Sequence, residues 1–430
     1  MDQNTSKHAD PEATRYTRNA LTRTSIGKTV SDHGAAQMDM VALRAYRLGR
    51  VQEQLRKNDI PAILLADPIM SRYATGIRNM QPWSMHANNR CALVPAEGKA
   101  ILFEYGGSEH LGDNLETVEI SLPSKGRYNL DSKTYEGGKS WAEYIMSFLP
   151  PQKTGKRRLA VDSRVEYFTG LHLQNAGIDV IAGGRMLSDA QMIKSADEIQ
   201  CIMASLSIAE VALYRIKQAI EPGKSEIDLW SILEATNVEF GGEYIDTRLL
   251  SSGHRTNPWY QEATDRIVRP RELVALDTDM IGPFGYDADV SRTFLCPSGR
   301  PSGEQRTLYR TAYDQLHHNL ELIRAGASFR EMSEKAYDLP ERFKEQMMPM
   351  TWHGVGLCGQ GPTIVGRGHH EKYGEEGVLE EGMVLSCESY CGEVGGSEGV
   401  KLEQQVVVTK DGYQLLSDFP FEEELLGREF

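Results

Sequence analysis

The chain has 430 residues and a net charge of −14, from 47 basic and 61 acidic side chains. This length predicts two or three domains with large cores, and the negative charge argues against nucleic acid or an anionic membrane as a partner. No apolar run reaches the roughly 18 residues of a membrane span, and the N-terminus lacks the apolar core of a signal peptide. The six cysteines form no CxxC pair, as expected in a reducing compartment. We therefore predict a cytoplasmic protein.

The first part of the chain predicts an arm followed by an α/β domain. Residues 1–40 are polar and without a sustained period, which indicates an extended arm. Residues 41–187 then alternate between helical and strand-like patterns, which is typical of an α/β domain. The stretch 106–137 is rich in glycine, serine and charge, and we predict a surface excursion there.

The second part, residues 188–430, predicts an α+β domain. A capping box, Ser195 with Glu198, precedes a long helical pattern. A helix is predicted from Ser225, and Ser328 with Glu331 gives a third capping signal. Several short strand patterns lie between and after these helices, which is typical of helices packed around a mostly antiparallel sheet.

Six potential metal ligands lie on or beside these strand patterns. Taken singly, an aspartate near a glycine-rich turn is usually a turn former, and a glutamate in a strand usually faces solvent. Apolar, strand-like flanks on both sides indicate burial instead, and five buried carboxylates need a cation. One nitrogen ligand and no thiolate favour iron, manganese or zinc over copper. We therefore predict a site for two divalent metal ions. Its ligands are Asp277, Asp279, Asp289, His353, Glu388 and Glu403.

The order of these ligands resembles the pita-bread metallopeptidases, which include aminopeptidase P, prolidase and methionine aminopeptidase. The matching segments are GYDADVSRTF, HGVG, GMV and GVKLEQQVVVT, and the resemblance covers residues 190–425. The N-terminal α/β unit is similar to the creatinase-type domain of the larger members. The resemblance implies an α+β fold with a C-terminal pita-bread domain preceded by a smaller creatinase-type α/β domain. It also implies a homodimer.

The chain departs from the peptidase pattern at three places. Peptidases of this fold carry two histidines that bind the peptide and shuttle protons, and this chain has Tyr260 and Gln360 at those positions. The family also has an eleven-residue step between its two aspartates. Here Asp277 lies twelve residues before Asp289 and Asp279 lies ten before it. The segment DTD therefore offers an additional ligand.

That DTD segment, with NMQPW (79–83), NPWYQE (257–262) and KLEQQVVVT, is similar to the dimethylsulfoniopropionate lyases built on this fold. Those enzymes bind their metals with three Asp, one His and two Glu, and the resemblance implies that the six ligands predicted above form the same set. It also implies that Trp83 borders the substrate. A base removes the proton alpha to the carboxylate, which releases dimethyl sulfide and acrylate. The lyases place an Asp base and a Tyr where this chain has Gly359 and Met348. The candidates for a substitute base are His369, His370, Tyr390 and Glu262.

We therefore predict a metal-dependent enzyme that acts on a small carboxylate or zwitterion, most like a dimethylsulfoniopropionate lyase. Trp83, Trp259 and Tyr260 are predicted to bind the substrate, because aromatic rings attract sulfonium and quaternary ammonium groups. Ordinary core packing is the alternative for Trp83. Two other functions remain open: an Xaa-Pro dipeptidase or aminopeptidase, and a non-catalytic binding module that has lost its activity.

Overall fold

The computed structural model describes residues 38–87, 90–124, 134–150 and 155–428. The chain divides into an N-terminal unit, Asp39–Gln191, and a C-terminal unit, Met192–Phe430. The predicted arm, residues 1–40, lies outside the described residues except for its last three positions. The predicted division into an arm and two domains, at residues 40 and 187, stays a prediction.

The described residues of the N-terminal unit form a six-stranded mixed sheet with the order β4-β3-β2-β1-β5-β6. All four residues of the AILL run in β1 are buried, as expected for a central strand that is covered on both faces. The predicted excursion at 106–137 was wrong for residues 118–123, since they form an edge strand parallel to β3. Most side chains of that strand are partly or fully exposed, so its apolar signal in the sequence is weak. The strands are β1 (Ala62–Leu65), β2 (Cys91–Pro95), β3 (Ala100–Glu104), β4 (Val118–Pro123), β5 (Arg158–Val161) and β6 (Asp179–Ala182).

Helices precede, separate and follow the strands of this sheet along the chain, and aspartates cap two of these helices. The Asp39 carboxylate accepts the N–H groups of Val41 and Ala42. Asp67 caps the next helix in the same way, since short acceptor side chains satisfy the free N–H groups of a first turn. The helices are Met40–Lys57, Pro68–Thr75, Gln81–Ala87, Tyr135–Met146, Tyr167–Asn175 and Gly184–Gln191.

The C-terminal unit is built on antiparallel sheets, which confirms the predicted α+β class. A five-stranded sheet has the order β14-β13-β15-β16-β17, and two three-stranded sheets have the orders β12-β9-β8 and β11-β10-β7. The strands are β7 (Tyr244–Ile245), β8 (Leu250–Ser252), β9 (Leu273–Asp277), β10 (Met280–Ile281), β11 (Asp287–Ala288), β12 (Ser291–Leu295), β13 (Met350–Val355), β14 (Gly359–Val365), β15 (Val384–Gly392), β16 (Gly399–Thr409) and β17 (Gly412–Leu415).

The three predicted helix starts of this unit are confirmed. Ser195 and Ser225 each form a reciprocal capping box with the residue three positions later. The Ser328 hydroxyl accepts the N–H of Glu331. The helices are Ala196–Ala219, Glu226–Glu239, Gly303–Leu320, Phe329–Lys335, Glu341–Lys344, His370–Tyr373 and Glu423–Leu426.

The helix Ala196–Ala219 is long and apolar enough to cross a membrane by length and composition alone. Its side chains Cys201, Ile202, Leu206 and Leu213 are nevertheless buried within the C-terminal unit. This is the pattern of a core helix, in which one apolar face packs against the rest of the domain.

Candidate metal centre

Neighbouring strands of the five-stranded sheet bring three of the six predicted ligands together. Glu388 on β15 and Glu403 on β16 are direct partners in the antiparallel register. His353 on β13 lies opposite Ser386 of β15. Because side chains alternate between the two faces of a strand, this register places all three on one face of the sheet.

The aspartates come from the ends of short strands. Asp277 is the last residue of β9, and Asp289 follows β11. Asp279 lies in the turn after β9 with φ of +36°, which is an unusual backbone conformation for a residue other than glycine. The Thr247 hydroxyl donates to the Asp279 carboxylate, and this hydrogen bond orients the side chain.

All six side chains meet in one cluster. Three sets of three residues each have ligand atoms within 4.8 Å of one another. Asp277, Asp289 and Glu403 each belong to two of these sets. Shared residues of this kind are expected where one carboxylate bridges two metal ions. The sets are Asp289, His353 and Glu403; Asp277, Glu388 and Glu403; and Asp277, Asp279 and Asp289.

The spacing around His353 fits ligands of a common ion. Its Nε2 lies 3.2 Å from Asp289 Oδ2, 3.2 Å from Glu388 Oε1 and 3.6 Å from Glu403 Oε1. Atoms bound to one metal at about 2.0–2.2 Å lie about 3.0–3.5 Å apart at ordinary bond angles. The other ring nitrogen, Nδ1, lies 3.2 Å from Gly354 O, which orients the ring and leaves Nε2 directed at the carboxylates.

The carboxylates of the cluster carry more negative charge than the cations around them neutralise. Burial, followed by the charge of Asp279, raises the pKa of Asp289 well above its usual range. Burial and the charge of Asp277 do the same for Glu403, and the same two causes raise the pKa of Asp279 to about 7. The Glu403 Oε1 atom is buried without a hydrogen-bond partner among the described residues. Such a cluster needs further positive charge.

One cation of the cluster was not among the predicted site residues. The Lys401 ammonium is fully buried and lies 3.1 Å from Asp277 Oδ2, 2.9 Å from Glu388 Oε2 and 2.8 Å from Glu403 Oε2. Burial alone would raise the pKa of Glu388, but the nearby Lys401 and His353 lower it to about 2. The alternation of β16 puts Lys401 on the same face as Glu403, and this pattern was the available signal.

The four candidates for a substitute base lie in other local networks. Glu262 is exposed and pairs with Arg248 at 3.2 Å. The Tyr390 hydroxyl oxygen lies 3.0 Å from both Thr256 O and Asn257 Oδ1, and its single proton can be donated to either acceptor. The His370 Nε2 lies 3.2 Å from Glu376.

His369 stacks on Tyr373, with ring centroids 6.2 Å apart. Among the described residues, no hydrogen bond or ion pair joins any of these four candidates to the six ligand candidates. The base therefore stays unassigned.

The two positions at which the lyases carry catalytic residues differ in the space around them. Gly359 is the first residue of β14, and a Cβ placed on it would meet no atom within 4 Å. Met348 is instead buried in a small cluster with Trp259, Ala275 and Tyr390. A side chain can therefore be added at position 359 more easily than position 348 can be enlarged.

The three aromatic residues predicted to bind substrate have different surroundings. Trp259 is only 5% exposed, and its ring centroid lies 5.8 Å from Lys401 Nζ, so it faces an internal cation. Tyr260 is 63% exposed, and burial of its hydroxyl, followed by the charge of Glu388, raises its pKa. Trp83 lies in the N-terminal unit, with its ring edge-on to Tyr105 at 5.6 Å. Their role in substrate binding stays a prediction.

Comparison with known proteins places this geometry in a family. Residues 200–410 match the model of metallopeptidase family M24. The chain is 32% identical over 403 residues to dimethylsulfoniopropionate lyase DddP of Roseovarius nubinhibens, covering 92% of this chain and 90% of that protein. It is 28% identical over 239 residues to the Xaa-Pro dipeptidase of Pyrococcus furiosus, covering 54% of this chain and 65% of that protein.

A solved structure shows the same fold. The Xaa-Pro dipeptidase of Bacillus anthracis superposes with a TM-score of 0.70 over 88% of this chain and 99% of that chain, at 20% identity. This confirms the pita-bread fold expected from the sequence motifs. The chain therefore belongs to metallopeptidase family M24, a family of enzymes whose members include the dimethylsulfoniopropionate lyases it resembles along most of its length.

Proposed function

We propose that this chain is a di-metal lyase that cleaves dimethylsulfoniopropionate into dimethyl sulfide and acrylate. The observation that carries the proposal is the presence of both Asp277 and Asp279 in the cluster with Asp289. Together with His353, Glu388 and Glu403, these aspartates form a set of three Asp, one His and two Glu, which is the ligand set of the lyases that this chain resembles. The similarity to a lyase named DddP extends over more than nine-tenths of the chain, whereas the dipeptidase match covers about half of it.

The proposed metal ligands are the six residues predicted from the sequence. Two divalent ions, of iron, manganese or zinc, would supply Lewis-acid polarisation of the substrate carboxylate and so make its alpha proton more acidic. The donor set of oxygens with one imidazole fits these ions. The close spacing around His353 supports this assignment, as does Glu403 Oε1, which has no hydrogen-bond partner in the part of the chain that the structure describes.

The proposed reaction is a beta-elimination. A base takes the proton from the carbon alpha to the carboxylate, and that electron pair forms the carbon–carbon double bond. The carbon–sulfur bond breaks with its electron pair remaining on sulfur, so neutral dimethyl sulfide leaves and acrylate stays. We propose Tyr260 as a contact of the sulfonium group, because aromatic rings attract such cations.

The main alternative is hydrolysis of an Xaa-Pro peptide. Tyr260 and Gln360 stand where the peptidases carry proton-shuttling histidines, and neither side chain changes its charge near neutral pH. We also propose that the protein is a cytoplasmic homodimer. Its mass in solution, measured by light scattering during size-exclusion chromatography, tests the dimer.

The deciding experiment compares the two reactions on one metal-loaded preparation. Dimethyl sulfide released from dimethylsulfoniopropionate is measured by gas chromatography, and amine released from an Xaa-Pro dipeptide is measured in parallel. We expect dimethyl sulfide release and weak dipeptide cleavage. A specificity constant for the dipeptide above about 10⁴ M⁻¹s⁻¹, without dimethyl sulfide, would overturn the lyase proposal.

A further inference from the structure

The cluster offers three positions for a cation, and one of them already contains one. Each of the three ligand sets can hold a positive ion between its members. The set of Asp277, Glu388 and Glu403 differs from the other two, because Lys401 Nζ contacts all three of its residues at 2.8–3.1 Å.

Residues outside this ligand set also contact the Lys401 ammonium. The ammonium donates to the Ser291 hydroxyl at 2.7 Å, and that hydroxyl donates to Glu403 Oε2 at 2.6 Å. The face of the Trp259 ring lies 5.8 Å away. The side chain is fully buried, so the ammonium cannot move into solvent without opening the core.

The two glutamates use separate oxygens for Lys401 and for His353. Glu388 and Glu403 each direct Oε2 at Lys401 and Oε1 at His353 Nε2. An ammonium that fixes one oxygen of a carboxylate also fixes the direction of the other oxygen. Lys401 therefore orients the oxygens that face the histidine.

We infer that Lys401 is a resident cation of the proposed metal centre, which fills the position between Asp277, Glu388 and Glu403 and leaves the two positions that share Asp289 for the metals. Glu388 remains a proposed ligand through Oε1, which lies 3.2 Å from His353 Nε2. This rests on the proposed di-metal site and adds a positioning residue to it. The charges agree with this division. Five carboxylates carry five negative charges, of which Lys401 neutralises one and two divalent ions neutralise four.

Binding of Mn²⁺ to the full-length chain tests this inference. The protein is freed of metal with a chelator and titrated with Mn²⁺, and free Mn²⁺ is followed by electron paramagnetic resonance. We expect two ions per wild-type chain. Lys401→Met removes the ammonium at nearly constant length, so the glutamates lose their orientation and we expect Mn²⁺ affinity to fall at least tenfold.

Lys194→Met is the matched control. Lys194 is also a buried lysine of the C-terminal unit, but its ammonium donates to Met192 O at 3.2 Å rather than to the cluster. We expect this variant to bind Mn²⁺ like the wild type. Circular dichroism and thermal unfolding of each variant establish that it is folded.

Three Mn²⁺ ions per wild-type chain would overturn the inference, and this measurement needs no variant. Equal or tighter Mn²⁺ binding by folded Lys401→Met would also overturn it. Neither readout depends on dimethyl sulfide release. Failure of the lyase proposal with intact Mn²⁺ binding is thus distinguishable from failure of the role of Lys401.

Discussion

At the scale of single residues, Asp289 connects the parts of the cluster. It belongs to both the set with His353 and the set with Asp279. Its backbone N–H donates to Gln405 Oε1 at 3.1 Å, which holds the turn that presents the carboxylate. A residue shared by two ligand sets in this way is expected to bridge two ions.

Replacement of Asp289 should therefore disturb both metal positions. We expect Asp289→Ala to reduce bound metal from two ions per chain to less than one, measured by elemental analysis, and to abolish turnover. Asp338→Ala is the control, because Asp338 is an exposed aspartate of the same unit whose carboxylate lies 3.2 Å from Lys344 rather than in the cluster. Retention of two metals by Asp289→Ala would contradict the di-metal assignment.

Position 359 offers a test of the missing base. An added side chain at Gly359 meets no atom within 4 Å, and the lyases resembled by this chain carry an aspartate there. We expect Gly359→Asp to raise dimethyl sulfide release at least tenfold, since a positioned general base contributes about 10²–10⁴-fold. Gly359→Asn, with the same size and no basic carboxylate, is the control.

The result separates two explanations of this position. Equal gains in the Asp and Asn variants would show that shape rather than proton transfer matters. Rapid turnover by the wild type would show that another residue is the base. Loss of metal from Gly359→Asp, measured in the same samples, would mean that the new carboxylate acts as a ligand instead.

The sequence predicts the ligand candidates better than it predicts their surroundings. Apolar, strand-like segments mark Asp277, Glu388 and Glu403, and the structure brings all six candidates together. Lys401 was missed because its importance depends on Asp277, which lies 124 residues away in the chain. Alternation along β16 predicts on which face of the sheet the Lys401 side chain lies. It does not predict which other strand packs against that face.

At the scale of elements, local capping chemistry was predictable and weak edge strands were not. The helix Ala196–Ala219 begins where Ser195 and Glu198 form a reciprocal capping box. This motif is read within four residues, so the rest of the fold does not affect it. Strand β4 was missed because it is stabilised by pairing with β3 and buries few side chains of its own.

The capping box gives a stability prediction. Ser195→Ala leaves the N–H of Glu198 without its side-chain acceptor, so we expect the free energy of unfolding to fall by about 1 kcal/mol in urea denaturation. Ser207→Ala is the control, because Ser207 lies on the same helix, is exposed and donates its hydroxyl to Met203 O rather than to an N–H of the first turn. Equal losses in both variants would indicate helix propensity rather than capping.

At the scale of the whole molecule, the candidate metal centre is expected to couple stability to pH. Burial raises the pKa of Asp289 and Glu403 well above the usual range and that of Asp279 to about 7. Burial lowers the pKa of His353, but the nearby carboxylates of Asp289 and Glu388 outweigh this and raise it overall. Each of these groups holds a proton in the folded, metal-free protein at a pH where the unfolded chain has released it.

The sign of the pH dependence follows from that difference. Above about pH 4 the unfolded carboxyl groups are ionised, while folded Asp279 keeps its proton until about pH 7. Raising the pH through this window therefore favours the unfolded state. The pKa of Glu388 is lowered to about 2, so its stabilising contribution is complete above about pH 4.5 and does not change within the window.

Metal ions bound by the candidate ligands would replace these protons, so we expect the stabilising effect of metal to grow with pH. We expect the Tm of the metal-free protein to fall between pH 5 and pH 8, and the Tm difference between metal-loaded and metal-free protein to widen over the same range. Differential scanning calorimetry measures both quantities. Asp279→Asn removes the group whose pKa is about 7 and should flatten the metal-free profile near that pH. A Tm difference that stays constant or narrows from pH 5 to pH 8 would show that protons and metals do not compete for these carboxylates.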